Sequence, residues 1–101
     1  MNTLSNIQSI YFVGIGGIGM SALARFAIKK NLAVFGYDKT QTALTATLEK
    51  EGAGITFEDS VSSLPPKVKN NTSTLVVYTP AIPEDNKILQ WFIQQDYRVI
   101  K

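Results

Sequence analysis

Short apolar runs alternate along this chain with stretches in which apolar residues return every three or four positions. Ile7 to Val13 reads as a first strand. Ile18 to Lys30 reads as a helix with Ile18, Ala22, Leu23 and Phe26 on one face. Ser21, Arg25 and Lys29 recur at every fourth position on another face, as a solvated side would. Lys29, Lys30 and Asn31 suit the helix end, where cations meet the negative dipole pole and Asn tolerates left-handed backbone. Ala33 to Tyr37 is a second strand, closed by Asp38. Thr40 or Thr42 then caps a helix running to about Glu51, with Leu44 and Leu48 inward and Gly52 as the stop. Ile55 to Phe57 is a short third strand. From Val61 to Asn71 the pairs Pro65-Pro66 and Asn70-Asn71 break any helix, leaving a half-helix and loop. Leu75 to Tyr78 is a buried fourth strand, followed by a Thr79–Pro83 turn that sets Pro83 in the first turn of the next helix. That helix, from about Glu84 to Gln95, buries Ile88, Leu89, Phe92 and Ile93, and Arg98 to Ile100 begins a fifth strand.

Strands alternating with helices imply an α/β fold: a Rossmann-like parallel sheet with helices on both faces. Right-handed crossovers give the strand order 3-2-1-4-5, and ligands in such sheets bind where the order reverses, between strands 1 and 4. The loops there are Gly14–Gly19 and Thr79–Pro83. At 101 residues the chain is one domain, 1–101, and a last strand without a polar tail suggests a piece of a longer protein.

The first loop carries the chemistry. Gly14, Gly16 and Gly19 take the G-x-G-x-x-G positions between a strand and a helix. The first glycine permits a tight turn, the second admits a pyrophosphate to the backbone, and the third lets helix pack on strand. Free N–H groups at the helix start then face a phosphate. Asp38, at the end of strand two, can accept both hydroxyls of a ribose, or cap the next element. Lys39 and Thr40 share that rim. Ser21 can reach a phosphate oxygen or bond back to a carbonyl one turn earlier. Thr79 points to the crevice, in a loop that two prolines stiffen. Glu58 and Asp59 form a rim or cap pair, while Met20 and Trp91 read as packing residues.

Composition removes other chemistries. Histidine and cysteine are both absent, so the usual general base, a thiolate nucleophile, a disulfide frame and the commonest metal ligands are unavailable. The net charge is +2 and the ten Lys and Arg are scattered, which argues against a nucleic-acid surface. No signal segment opens the chain and no apolar stretch is long enough for a membrane, so a cytoplasmic location is expected. Without a nucleophile–base pair or a loop ending in Gly-Lys-Ser/Thr, the sequence reads as a binding domain. A nucleotide of unphosphorylated ribose fits. So would a nicotinamide-sensing regulatory domain, or the cofactor half of a dehydrogenase.

The string Tyr11-Phe12-Val13-Gly14-Ile15-Gly16-Gly17-Ile18-Gly19-Met20-Ser21 resembles the opening of the Mur ligases, in particular their L-alanine-adding branch. The resemblance extends to Thr79-Pro80-Ala81-Ile82-Pro83-Glu84-Asp85-Asn86 after strand four, and spans nearly the whole chain. It implies a domain that holds the UDP part of UDP-N-acetylmuramic acid for peptidoglycan synthesis. ATP and magnesium are then expected in a separate central domain, with no cofactor in this segment and no ligase activity of its own. By the same resemblance Gly16, Gly17, Ile18 and Gly19 would meet the diphosphate through backbone N–H groups. Asp38 would face the uridine with Thr40 nearby, and Thr79, Ala81 and Ile82 would line the opposite wall. Many relatives carry Gly-His after strand three, where this chain has Phe57-Glu58-Asp59. The sixth strand, the basic residue that usually follows strand five and the ATP-binding loop are missing.

Overall fold

The computed structural model describes residues 7–70 and 72–101. Five strands, β1 (Ser9–Val13), β2 (Ala33–Tyr37), β3 (Gly54–Thr56), β4 (Thr74–Tyr78) and β5 (Arg98–Ile100), form one sheet in the order β3-β2-β1-β4-β5. Every pairing is parallel, as expected. The helices are α1 (Ile18–Lys29), α2 (Ala43–Lys50) and α3 (Lys87–Gln94). The expected half-helix resolves into two 3-10 turns, Val61–Ser63 and Pro66–Lys69, while Asn71 lies outside the described residues.

Strand alternation sorts β1 into both cores. Phe12 joins Val34, Leu48, Leu75 and Val77 beneath α1 and α2. Tyr11 and Val13 join Val76, Ile88, Leu89 and Phe92 beneath α3. A strand apolar on both faces belongs in the middle of a covered parallel sheet. The second core is the aromatic one: Phe92 packs its ring 5.1 Å from Tyr11 and 4.7 Å from Tyr97. Tyr97 also donates its hydroxyl to the Val68 carbonyl at 2.6 Å, tying the second 3-10 turn down. Trp91 packs half-buried on this cluster, as expected.

The inward face of α1 differs from the expected one. Ile18, Leu23 and Phe26 are 89%, 52% and 61% exposed, and Met20, Ser21, Ala24 and Ala27 face the sheet. Small side chains let the helix lie close on β1, and bulk is pushed to its flanks. Ser21 is tolerated inside because its hydroxyl donates to the Ile18 carbonyl at 2.8 Å. Asn31 ends this segment at φ 63, as its left-handed tolerance predicted.

Thr42, not Thr40, caps α2; its hydroxyl accepts from Thr45 N–H, and Thr45 returns the favour to Thr42 N–H. Helix α3 begins at Lys87 rather than Glu84. Turn bonds from Ile82 N–H to Thr79 and from Asn86 N–H to Pro83 hold the intervening residues, so Pro83 stays outside the helix. Ile93 is 49% exposed rather than buried, because Phe92 fills the inward position. The third strand sits one residue earlier than expected, since Gly54 pairs with Phe35.

Candidate functional site

Strand register builds the site. Val13 pairs with Tyr37 on one side and Tyr78 on the other. The residues that follow, Gly14, Asp38 and Thr79, therefore stand in a row at the carboxyl edge of the sheet, at the point where strand order reverses. Gly14 turns the chain at φ 96, a conformation that suits glycine. Its N–H and that of Ile15 both donate to the Tyr37 carbonyl, at 2.7 and 3.0 Å. A Cβ on Gly14 would lie 2.7 Å from Thr79 Cγ2 and 3.3 Å from Ile82 Cδ1, so the two loops are in contact. Ala81 is exposed and its N–H donates to the Thr79 hydroxyl at 3.4 Å.

All three helices start at this edge, yet their N-termini differ. Thr42 caps α2. On α3, Asn86 accepts from Leu89 N–H at 2.9 Å, and the Asp59 carboxylate reaches over to accept from Lys87 and Ile88 N–H, both at 3.0 Å. Asp59, foreseen as rim or cap, is thus a cap. Helix α1 has neither a side-chain cap nor an acid in its first turn. Gly17 occupies its cap position, and the first bond back to it comes from Ser21 N–H at 2.8 Å. The N–H groups of Ile18, Gly19 and Met20 precede that bond and have no acceptor within the helix. With the helix dipole behind them they can seat an anion. A Cβ on Gly19 would meet nothing within 4 Å, so this third glycine does not serve helix–strand packing; the space beside it is open.

Asp38 sits beside this seat, and both of its carboxylate oxygens accept from backbone. Oδ2 takes the Gly16 N–H at 2.7 Å and Oδ1 the Thr40 N–H at 3.0 Å. Gly17 N–H donates to the Gly14 carbonyl at 3.1 Å. Of the four N–H groups expected to face a diphosphate, those of Gly16 and Gly17 are thus engaged inside the loop. Those of Ile18 and Gly19 remain, and Met20 joins them. Ser21 takes the backbone option and points its hydroxyl at Ile18.

Two contributors went unforeseen. Gly36 in β2 leaves room for Ile15, whose fully buried side chain anchors the loop from below. Lys101 directly follows β5, so a basic residue stands after strand five, where none was expected. Pairing of Val77 with Ile100 brings its ammonium 5.9 Å from the Tyr78 ring centre. There it lines one cleft with Gly17, Ile18, Gly19, Thr79 and Pro80. A "basic residue after strand five" was the only signal that could have found it.

The electrostatics suit binding more than catalysis. Burial, then the charges of Asp59 and Asp38, push the Tyr37 phenol up and keep it neutral. Among the described residues no three His, Cys, Asp or Glu gather into a metal-binding group. No helix among them is long and apolar enough to cross a membrane. The arrangement can hold an anion in a shaped backbone pocket beside a carboxylate and a lysine.

Comparison with known proteins agrees in sequence and in shape. The description "Mur ligase family, catalytic domain" matches residues 9–101. The UDP-N-acetylmuramate–L-alanine ligase of Christiangramia forsetii is 44% identical over 102 residues, covering 100% of this chain and 23% of its own length. That of Parabacteroides distasonis is 47% identical over 98 residues, covering 97% of this chain and 21% of its own. The chain therefore spans about a fifth of the length of these relatives. The crystal structure of UDP-N-acetylmuramate-alanine ligase from Thermotoga maritima superposes with a TM-score of 0.79 at 33% identity, over 91% of this chain and 20% of that one. A murein peptide ligase from Psychrobacter arcticus, at 22% identity and a TM-score of 0.75, shares the fold.

Proposed function

This chain belongs to the Mur ligase family, and from that premise we propose that it holds the nucleotide end of UDP-N-acetylmuramic acid for an ATP-dependent ligase. The ligase joins L-alanine to that substrate in peptidoglycan synthesis, in the cytoplasm. The observation that carries the reading is the bare N-terminus of α1 beside two capped ones. A diphosphate supplies the acceptors that Ile18, Gly19 and Met20 lack, and its charge meets the positive end of the dipole. Thr79 and Ile82, already against Gly14, form the opposite wall, and Lys101 adds a cation at the mouth.

The bond-forming chemistry lies outside these residues. In the family it uses ATP and magnesium to turn the substrate carboxylate into an acyl phosphate, which the amine of L-alanine attacks. No Gly-Lys-Ser/Thr loop, which would cradle the phosphates of ATP, occurs in the sequence. The role of this chain is to bind and aim, and its remaining partners are the other domains of the ligase.

Isothermal titration with UDP-N-acetylmuramic acid and, separately, with NAD tests this. Heat from the UDP-sugar and none from NAD is expected. Binding of NAD alone would overturn the reading in favour of a redox or sensing domain.

A further inference from the structure

We propose that Asp38 is a positioning residue: it shapes the glycine loop, and acts on the diphosphate through that loop. The inference rests on the reading of the α1 N-terminus as a diphosphate seat. Each carboxylate oxygen of Asp38 accepts from a backbone N–H, Oδ2 from Gly16 at 2.7 Å and Oδ1 from Thr40 at 3.0 Å, so the side chain is held on the loop before any ligand arrives. The Gly16 bond is charge-assisted and short, the kind that fixes geometry. It also spans the fold, joining the loop after β1 to the end of β2.

The fit around Gly16 points the same way. A Cβ there would lie 2.7 Å from Asp38 Oδ2 and 3.2 Å from Thr45 Cγ2. The carboxylate is thus packed against the bare Cα, with Thr45 close by. Thr45 is fully buried, and its hydroxyl donates to the Thr42 carbonyl at 2.9 Å, within the cap of α2. Loop, carboxylate and the start of α2 make one locked joint. With Gly16 N–H turned toward Asp38 and Gly17 N–H toward Gly14, the next donors, of Ile18, Gly19 and Met20, are left to face outward.

Charge supplies an independent reason. A carboxylate beside an anion seat opposes the anion that the helix dipole attracts. Its cost is offset when the same carboxylate builds the seat. Its fixed charge then also disfavours any further phosphate at the end of β2.

The test compares the chain with Asp38→Ala and with Asp38→Asn, whose amide oxygen can still accept from Gly16. Amide hydrogen exchange at Gly16 is followed by NMR without ligand, and affinity is titrated with inorganic pyrophosphate and with UDP-N-acetylmuramic acid. Loss of one charge-assisted bond should speed Gly16 exchange and weaken both ligands about tenfold, in Asp38→Ala. Asp38→Asn should recover most of each, while β1 and β4 amides report that the sheet is intact. Weaker UDP-sugar binding with pyrophosphate affinity and Gly16 exchange unchanged would overturn the proposal and return Asp38 to the ribose. Should the wild type bind neither ligand, the diphosphate seat is wrong, and the exchange rates still decide whether Asp38 holds the loop.

Discussion

The side chain of Ile15 lies on Gly36: a Cβ built on that strand residue would sit 2.8 Å from Ile15 Cβ and 2.8 Å from the Phe12 carbonyl oxygen. Neither neighbour can yield cheaply, since one is the root of a buried side chain and the other is backbone. Gly36→Ala should therefore cost about 1–3 kcal/mol of stability by overpacking. Because Ile15 stands between Gly14 and Gly16, the same change should displace the loop and weaken UDP-sugar binding. Urea unfolding and titration on one sample check both effects.

Gly19→Ala should separate folding from binding. The new methyl meets no protein atom within 4 Å, and alanine is the better helix former by up to about 1 kcal/mol. Thermal unfolding should hold or rise while affinity for UDP-N-acetylmuramic acid drops, because the methyl enters the anion space. Unchanged affinity would remove Gly19 from the seat.

Asp59→Ala should free the N–H groups of Lys87 and Ile88 at the start of α3. A lost cap costs about 0.5–2 kcal/mol. The Asn86 cap remains, so the helix should fray at its first turn without detaching. Exchange of the Lys87 and Ile88 amides reads this directly, and a silent result would make the Asp59 contact incidental.

Tyr11 is fully buried and its hydroxyl has no hydrogen-bond partner among the described residues. Such a group costs about 1–3 kcal/mol, so Tyr11→Phe should stabilise the fold at neutral pH by about 1 kcal/mol. Burial, then Asp59 and Tyr37, push the Tyr11 phenol well above its usual value. The folded state thus keeps a proton that the unfolded chain releases above about pH 10. The phenol's contribution to stability is accordingly flat below that pH and falls as pH rises beyond it. Tyr11→Phe should flatten that decline, leaving the part due to Tyr37 and Tyr97, whose phenols are also raised. Equilibrium unfolding from pH 8 upward, in about half-unit steps, tests the sign.

The strands and helices were legible in the sequence because apolar runs and glycine punctuation are local signals, and the strand order followed from right-handed crossovers. Ala33–Tyr37 and Arg98–Ile100 fall where periodicity put them. The face of α1 was not legible. Ile18, Leu23 and Phe26 are among its most apolar residues, yet close approach to a sheet rewards the small Ala24 and Ala27. Partners distant in sequence were hidden for a related reason. Nothing in the string Phe57-Glu58-Asp59 says that α3 will bring its N-terminus to Asp59. Nor does Gly36 announce that a loop residue will need its missing Cβ. The glycines, Asp38 and Thr79 were named correctly as neighbours, but the direction of each N–H depends on the turn at Gly14 and on Asp38 itself.

Leaving one helix start uncapped while its two neighbours are closed gives the rim a polarity. The diphosphate of an elongated ligand would have a single berth among the three helix starts. The portion beyond the diphosphate is then sent out along a fixed heading. A reactive group carried at the far end would then arrive at the same place on every visit.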